Sequence, residues 1–196
     1  MANGRVITGY SDPWVAKYSA TGTTVTYSNA QALARGVSVE ITPDDASDNK
    51  FYADNDEAEN AGTTFGSGTA TITVDGLKNA ARALIYGLAE ADQTGWLHYG
   101  NTQQVPYIGF GCIVRYMEDG VTTYEPLVLP KIMFNPEPTS AATQEEEIDW
   151  QTTELTAQIH RDDTVNQDWR LDGTAQETQA AALAALKTKL GVGSGG

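Results

Sequence analysis

Cysteine and histidine are scarce in this chain. Cys112 is the only cysteine among 196 residues, and His98 and His160 are the only histidines. One cysteine cannot form a disulfide within the chain, and its apolar neighbours in FGCIV predict a small buried residue rather than a nucleophile. His98, within WLHY, is expected to fill a hydrophobic corner. Because these residues are isolated, neither a Cys-His nor a Ser-His-Asp arrangement is expected, and we predict that the chain is not an enzyme.

Basic residues and long apolar runs are also scarce. There are 12 Lys and Arg against 26 Asp and Glu, which gives a formal net charge of −14, and no two basic residues are adjacent. Clustered cations supply most of the affinity for phosphate backbones, so a DNA-binding role is not expected. The longest apolar stretch, Phe110 to Val114, is far shorter than the roughly 20 residues of a membrane helix. The start, MANGRVITGY, lacks the apolar centre of a signal peptide, which predicts first use in a cytoplasm.

The sequence also lacks motifs that would hold a cofactor or a metal ion. The GFG of Gly109 to Gly111 is not GxGxxG and leads into a strand. Asp54 and Asp56 begin like a Ca²⁺ loop, but Glu59 takes the sixth position, where the EF-hand needs glycine. The acids between 145 and 149 are adjacent in the chain, so they are not placed across a glycosidic bond as a glycosidase requires. No cofactor is expected.

What the chain has instead is a series of short segments in which apolar and polar residues alternate, separated by Gly, Asn, Asp and Pro. Hydrophobic residues make up 40% and charged residues 19%, which is typical of globular proteins. A chain of 196 residues suits a single domain, which we predict to span residues 1–190. The pattern predicts a mainly β fold, an antiparallel sandwich or barrel. We predict strands at Trp14 to Ser19, Thr23 to Tyr27, Val37 to Thr42, Thr69 to Val74, Tyr107 to Met117, Thr122 to Leu129 and Thr152 to Arg161.

The predicted strands Tyr107 to Met117 and Thr122 to Leu129 are expected to be neighbours. Glu118-Asp119-Gly120 lies between them, and Asp-Gly readily adopts the positive φ of a tight hairpin. Pro126 and Pro130 cannot donate to a ladder, so the second strand is expected either to form an edge or to bend there.

Two helices are predicted beside the strands. Asp75 can cap a helix of about residues 76–90, whose core face is Leu77, Ala80, Ala81, Leu84, Ile85 and Leu88. Thr174 and Glu177 have the spacing of a capping box for a second helix of about 175–190. Leu183, Leu186 and Leu190 form its apolar stripe, Gly191 ends it, and residues 191–196 are expected to be a flexible tail.

The segment Pro43 to Gly68 fits neither pattern. It holds seven acids between Asp44 and Glu59 and the aromatic pair Phe51-Tyr52. A bare loop of this length is unusual in a compact domain, and an exposed Phe-Tyr pair is unfavourable unless something covers it. The alternatives are a mobile solvated loop and a segment that orders against a partner.

Alternation is strongest in Gln144 to Asp163, QEEEIDWQTTELTAQIHRDD. Leu155, Ala157 and Ile159 would point to one side of a strand, and Glu154, Thr156, Gln158 and His160 to the other. This run, with FYADN (51–55), TITVDGL (71–77), VPYIGFG (105–111) and YEPLVLPK (124–131), resembles the major tail protein of long-tailed, non-contractile bacteriophages. The resemblance extends from about Val6 to about Leu190.

The resemblance implies a virion protein of the phage tail. Members of that family form hexameric rings that stack into a hollow tube, so the expected partners are copies of itself, a tape-measure protein, tail-tip and terminator proteins, and passing DNA. The resemblance also implies assembly in the host cytoplasm, with no membrane contact. The expected inter-subunit residues of the long loop are Phe51, Tyr52, Asp54 and Asn55. The expected lumen-facing residues are Thr69, Thr71, Thr73, Glu154, Thr156 and Gln158, with His160 on the solvent or lumen side.

An interpretation from another class remains open. A β-rich fold with Trp14, Trp96, Trp150 and Trp169 would also suit a carbohydrate-binding or surface-binding module, although the absence of a signal peptide argues against it. An acidic hydrolase is a third and weaker alternative.

Overall fold

A computed structural model describes residues 4–44, 50–53, 56–60, 65–89, 91–101, 103–136, 139 and 151–192, and of 50–53 and 56–60 it describes only the backbone. The elements are β1 (Val6–Thr21), β2 (Thr24–Ala32), β3 (Gly36–Pro43), β4 (Lys50–Ala53), β5 (Asp56–Asn60), β6 (Gly68–Val74), α1 (Asn79–Tyr86), β7 (Ile108–Glu118), β8 (Val121–Phe134), β9 (Thr153–His160), β10 (Leu171–Asp172) and α2 (Gln179–Lys189). Neither helix is long and apolar enough to span a bilayer.

Eight strands form one antiparallel sheet. Its order is β2-β1-β7-β8-β9-β6-β3, and the short β10 pairs with the middle of β8. Each of the seven strands predicted from alternation lies at least largely within one of the observed strands. The mainly β, antiparallel class is therefore confirmed.

The sheet curls so that inward side chains of both halves share one core. Val15 of β1, Phe110 of β7 and Leu129 of β8 are fully buried with Ile72 of β6 and Leu155 of β9. Helix α1 adds Ala81, Ile85 and Tyr86 to the same core. A branched or aromatic side chain buried this fully stabilises the fold by about 1.5–3 kcal/mol.

Helix α2 covers the opposite face of β1, β7 and β8. Gly111 lets the helix approach closely, because a Cβ there would collide with Cδ1 of Leu186. The Lys187 ammonium adds a cation–π contact, 4.5 Å from the centroid of the Trp14 ring. The second core consists of Ala16, Ile113, Val128, Ala182, Leu186 and Leu190.

The β7–β8 pair is confirmed, and β8 lies inside the sheet. Asp119 and Gly120 have φ of 49° and 80° at the hairpin turn. The expectation of an edge strand is wrong, because β8 pairs with β7 on one side and with β9 and β10 on the other. The alternative, a bend at the prolines of β8, stays a prediction. The β7–β8 register shifts between Ile108 and Phe110, opposite Pro130, where the missing N–H leaves the ladder incomplete.

Helix α1 is shorter than predicted, and Asp75 does not cap it. The cap residue is Lys78, without a side-chain hydrogen bond. Asp75 instead accepts hydrogen bonds from the backbone N and Nε of Arg35, at 2.9 and 2.6 Å. A stronger, charged partner outcompetes the helix N-terminus. Ala80, predicted to face the core, is exposed.

Helix α2 also begins later than predicted. The capping box Thr174–Glu177 is wrong, because the Thr178 hydroxyl accepts from the Ala181 backbone N at 3.2 Å. Gln176, within the predicted helix, instead makes a backbone bridge with Tyr124. Gly191 ends the helix as predicted, with φ of 72°.

Candidate assembly surface

The outer face of β3, β6 and β9 is a polar grid, three side chains from each of three strands. Register pairs Thr69, Thr71 and Thr73 of β6 with residues of β9 and of β3. The alternation of each strand sends its apolar partners, such as Ile72 and Leu155, into the core. The grid residues are Ser38, Glu40 and Thr42; Thr69, Thr71 and Thr73; and Glu154, Thr156 and Gln158.

The grid contains no lysine or arginine. Its two charges are the carboxylates of Glu40 and Glu154, which are exposed together with Gln158, whereas the four threonines of β6 and β9 are half-buried. The six residues predicted to line a lumen therefore share one face. Hydroxyls, amides and carboxylates hold water well, but they offer phosphate no cation and bases no aromatic platform.

The two halves of the sheet differ in what covers them. Helix α2 packs on the outer face of β1, β7 and β8 and buries Leu186 and Leu190 completely. No described element packs on the grid. Because one face of the grid strands is exposed and the other is buried, these strands are apolar on one side only. This alternation is the pattern from which the strands were predicted.

Lys131 of β8, at the border of the grid, is already paired with the carboxylate of Asp163. Lys131 Nζ lies 2.7 Å from Asp163 Oδ2, 4.7 Å from the Tyr107 ring centroid and 5.3 Å from that of Tyr18. Hydrogen bonds from Lys131 and then from the Tyr18 hydroxyl lower the pKa of Asp163. Only 14% of the Lys131 side chain is exposed. This lysine therefore adds little free positive charge to the grid.

His160 continues the polar side of β9, opposite Lys131. Its ring is half-buried and packs edge-on against Tyr107 at 5.4 Å between centroids. The Nε2 atom is buried and has no hydrogen-bond partner in the described structure. Burial first, and then the nearby Lys131 charge, lower the pKa of His160. A neutral imidazole is thus favoured at the border of the grid.

Strand β3 ends the sheet, and the segment after it is not a bare loop. β3 pairs with β6, and its other edge carries no described partner strand. Strands β4 and β5 follow as a separate two-stranded hairpin. The expectation of a long loop over 43–68 is therefore corrected in part. Phe51 and Tyr52 lie in β4, opposite Glu59 and Glu57, whereas Asp54 and Asn55 lie outside the described residues.

The loop after α1 differs most from the sequence-based expectation. His98 does not fill a hydrophobic corner: its side chain is 72% exposed and Nε2 lies 2.9 Å from Asp92 Oδ2. Hydrogen bonds from Thr94, His98 and Trp96 lower the pKa of Asp92. Trp96 is 70% and Tyr99 is 60% exposed. The sequence contained one indication of this surface, a Trp and a Tyr among Gly, Asn and Gln.

Cys112, one of the groups considered for catalysis, is closed off from solvent. Cys112 is fully buried, as predicted, and burial raises the pKa of its thiol to about 12. Among the residues that the structure describes, no group of three or more His, Cys, Asp or Glu side chains is arranged to hold a metal ion. Comparison with known proteins adds no assignment: no family model and no curated protein sequence matches the chain.

Proposed function

We propose that the chain is a self-assembling subunit of a tube of the phage-tail type, built from stacked hexameric rings in the tail of a virion. The carrying observation is the polar grid, a face that contains no lysine or arginine and on which no described element packs, whereas α2 packs on the outer face of β1, β7 and β8. The sequence resemblance over 6–190 supports the same proposal.

In this proposal the sheets of neighbouring subunits join at their open edges. β2 and β3 each pair with one strand among the described elements, so each has one open edge there. Unpaired N–H and C=O groups at such edges template further pairing, and closure into a barrel removes them. The grid then faces the channel. Its carboxylates repel phosphates and its hydroxyls keep a water layer, so DNA passes without being held.

The β4–β5 hairpin is proposed as the arm that reaches an adjacent subunit. It forms its own two-stranded sheet. An isolated hairpin is marginally stable in water, so contact with a neighbour would stabilise it. Tape-measure, tail-tip and terminator proteins are the further proposed partners, with assembly in the host cytoplasm.

Electron microscopy with sedimentation velocity tests the proposal. The purified chain is expected to sediment as small species when dilute and to form rings and tubes as its concentration rises or when tail-tip complexes supply a nucleus. A chain that stays monomeric at every concentration, with and without such complexes, contradicts the proposal.

A carbohydrate-binding or surface-binding module is the second candidate, favoured by exposed Trp96 and Tyr99. Exposed aromatic rings suit stacking against sugars. Two of the other tryptophans are already engaged: Trp169 stacks on Phe65 with centroids 4.4 Å apart, and Lys187 covers Trp14. Trp150 lies outside the described residues. Glycan binding that disappears in Trp96→Ala, in a chain that forms no tubes, would favour this candidate.

A further inference from the structure

The loop that carries Trp96 is held rigidly by its own hydrogen bonds. Asp92 Oδ1 accepts from Thr94 N at 2.8 Å, from Thr94 Oγ1 at 2.7 Å and from Trp96 N at 3.0 Å. The Asp92 N donates to the Trp96 carbonyl at 3.0 Å. The backbone of Trp96 is therefore fixed while 70% of the residue stays in solvent. A pre-ordered aromatic residue loses little conformational freedom on binding, which favours its use as an anchor.

The surroundings of this loop are unusual in charge. From residue 93 to residue 114 the chain has neither an acid nor a Lys or Arg, although it carries 26 acids in total. Two clefts flank the loop, of about 870 and 900 Å³. Their described lining includes Trp96, Tyr99 and the small residues of α1. It includes two cations, Arg82 and Lys17, and no Asp or Glu.

We propose that this surface, the neutral patch formed by Trp96, Tyr99 and the two clefts, is a contact with a second copy of the same chain. The inference rests on the proposed function and names one of its contacts. At a net charge of −14, two copies repel each other over most of their surface. The described lining of the neutral patch carries no carboxylate, so it repels an acidic copy less than an acidic surface does, and the exposed Lys17 complements the acidic surface of the approaching copy.

The size of the patch indicates how the contact operates. Trp and Tyr bury up to about 250 Å² each, so their 70% and 60% exposed fractions amount to roughly 300 Å². A stable interface needs about 800 Å² on each partner. The two rings alone are therefore insufficient for an isolated dimer. Repeated contacts of this kind, together with others in a ring or stack, give cooperative assembly instead.

The test compares matched variants by sedimentation velocity and electron microscopy over a range of concentrations. Trp96→Ala/Tyr99→Ala is expected to need at least tenfold more protein to assemble than wild type. Val165→Ala, at a residue that is 83% exposed on another loop, is the control and is expected to assemble as wild type. Lys17→Glu is expected to weaken assembly, and Lys189→Glu, an equal charge change on α2, to weaken it less.

Thiol labelling provides a second measurement, which reports whether position 99 is covered in the assemblies that form. Cys112 is fully buried, so in Tyr99→Cys a maleimide reacts at position 99 alone. Labelling is expected to be fast in dilute protein and at least tenfold slower in assemblies.

The outcomes separate the inference from the proposed function. Normal assembly of the double aromatic variant, or equal labelling of dilute and assembled protein, overturns the inference and leaves the tube intact. Wild type that forms only small oligomers, lost in the double variant, supports the inference and contradicts the tube. Wild type that never self-associates overturns both, and glycan binding lost in the double variant while assembly persists assigns the patch to that ligand instead.

Discussion

Replacing Glu154 and Gln158 by lysine tests whether the polar grid lines a channel. Both residues are exposed, opposite Thr73 and Thr69 of β6, so the change in folding free energy is expected to stay within about 0.5 kcal/mol. The double substitution adds two charge units at Glu154 and one at Gln158, which moves the net charge of each chain from −14 to −11. Tubes are expected to form as in wild type.

Repetition makes the effect on DNA large. A single lysine gains only about 1 kcal/mol against a phosphate 4 Å away in water, and salt screens it within about 8 Å. In a ring of six copies, about a dozen lysines face one channel. If they neutralise six or more phosphates, DNA affinity falls by about 10³-fold or more between 50 and 200 mM salt.

The assay sediments assembled tubes with a fluorescent DNA duplex at increasing salt. Wild-type tubes are expected to retain none, and the grid variant to retain DNA at low salt and release it at high salt. The control Glu118→Lys/Asn166→Lys carries the same added charge on exposed residues off the grid. Equal retention by both variants would show that the grid does not line the channel, and failed assembly would show that this face is not solvated.

Three further changes test the packing and the border of the grid. Leu186→Ala empties a fully buried site on α2 and is expected to lower the unfolding free energy by about 2–4 kcal/mol in denaturant titrations, whereas a smaller loss would mean that α2 is not docked as described. His160 has a lowered pKa, so the unfolded chain binds its proton first as pH falls below about 6.5. Stability should drop from pH 7 toward 5, less steeply in His160→Gln, and an unchanged slope would refute this. Asp163 acts in a separate window, below about pH 4, because its pKa is lowered as well. Phe51→Ala/Tyr52→Ala is expected to leave the melting of the monomer unchanged and to block tubes, and a collapsed monomer would place the pair in a core.

The strands and their faces could be predicted from sequence because alternation is local. In β9, Leu155, Ala157 and Ile159 alternate with polar residues, so the strand could bury only one side whatever it paired with. The same holds for Ala70 and Ile72 of β6. Asp119-Gly120 likewise specified its hairpin through its own φ preference.

Helix starts could not be predicted as well, because several residues compete for each role. Asp75 and Thr174 both have the chemistry of a cap. Arg35, forty residues earlier in the chain, engages Asp75 instead, and a bridge to Tyr124 takes residue 176 away from the helix. Such partners are far apart in the sequence and are brought together by the sheet.

What the sequence by itself determined is a one-sided, non-basic set of strands in an acidic chain. Tertiary structure alone decided which face of the sheet each helix covers. α2 docks on β7 because Gly111 admits Leu186, and no described element packs on the grid. Trp96 is likewise 70% exposed in the structure, on a loop whose local hydrogen bonds to Asp92 fix its backbone. Whether a surface is buried depends on which other elements pack against it. The local sequence pattern does not determine how close those elements come.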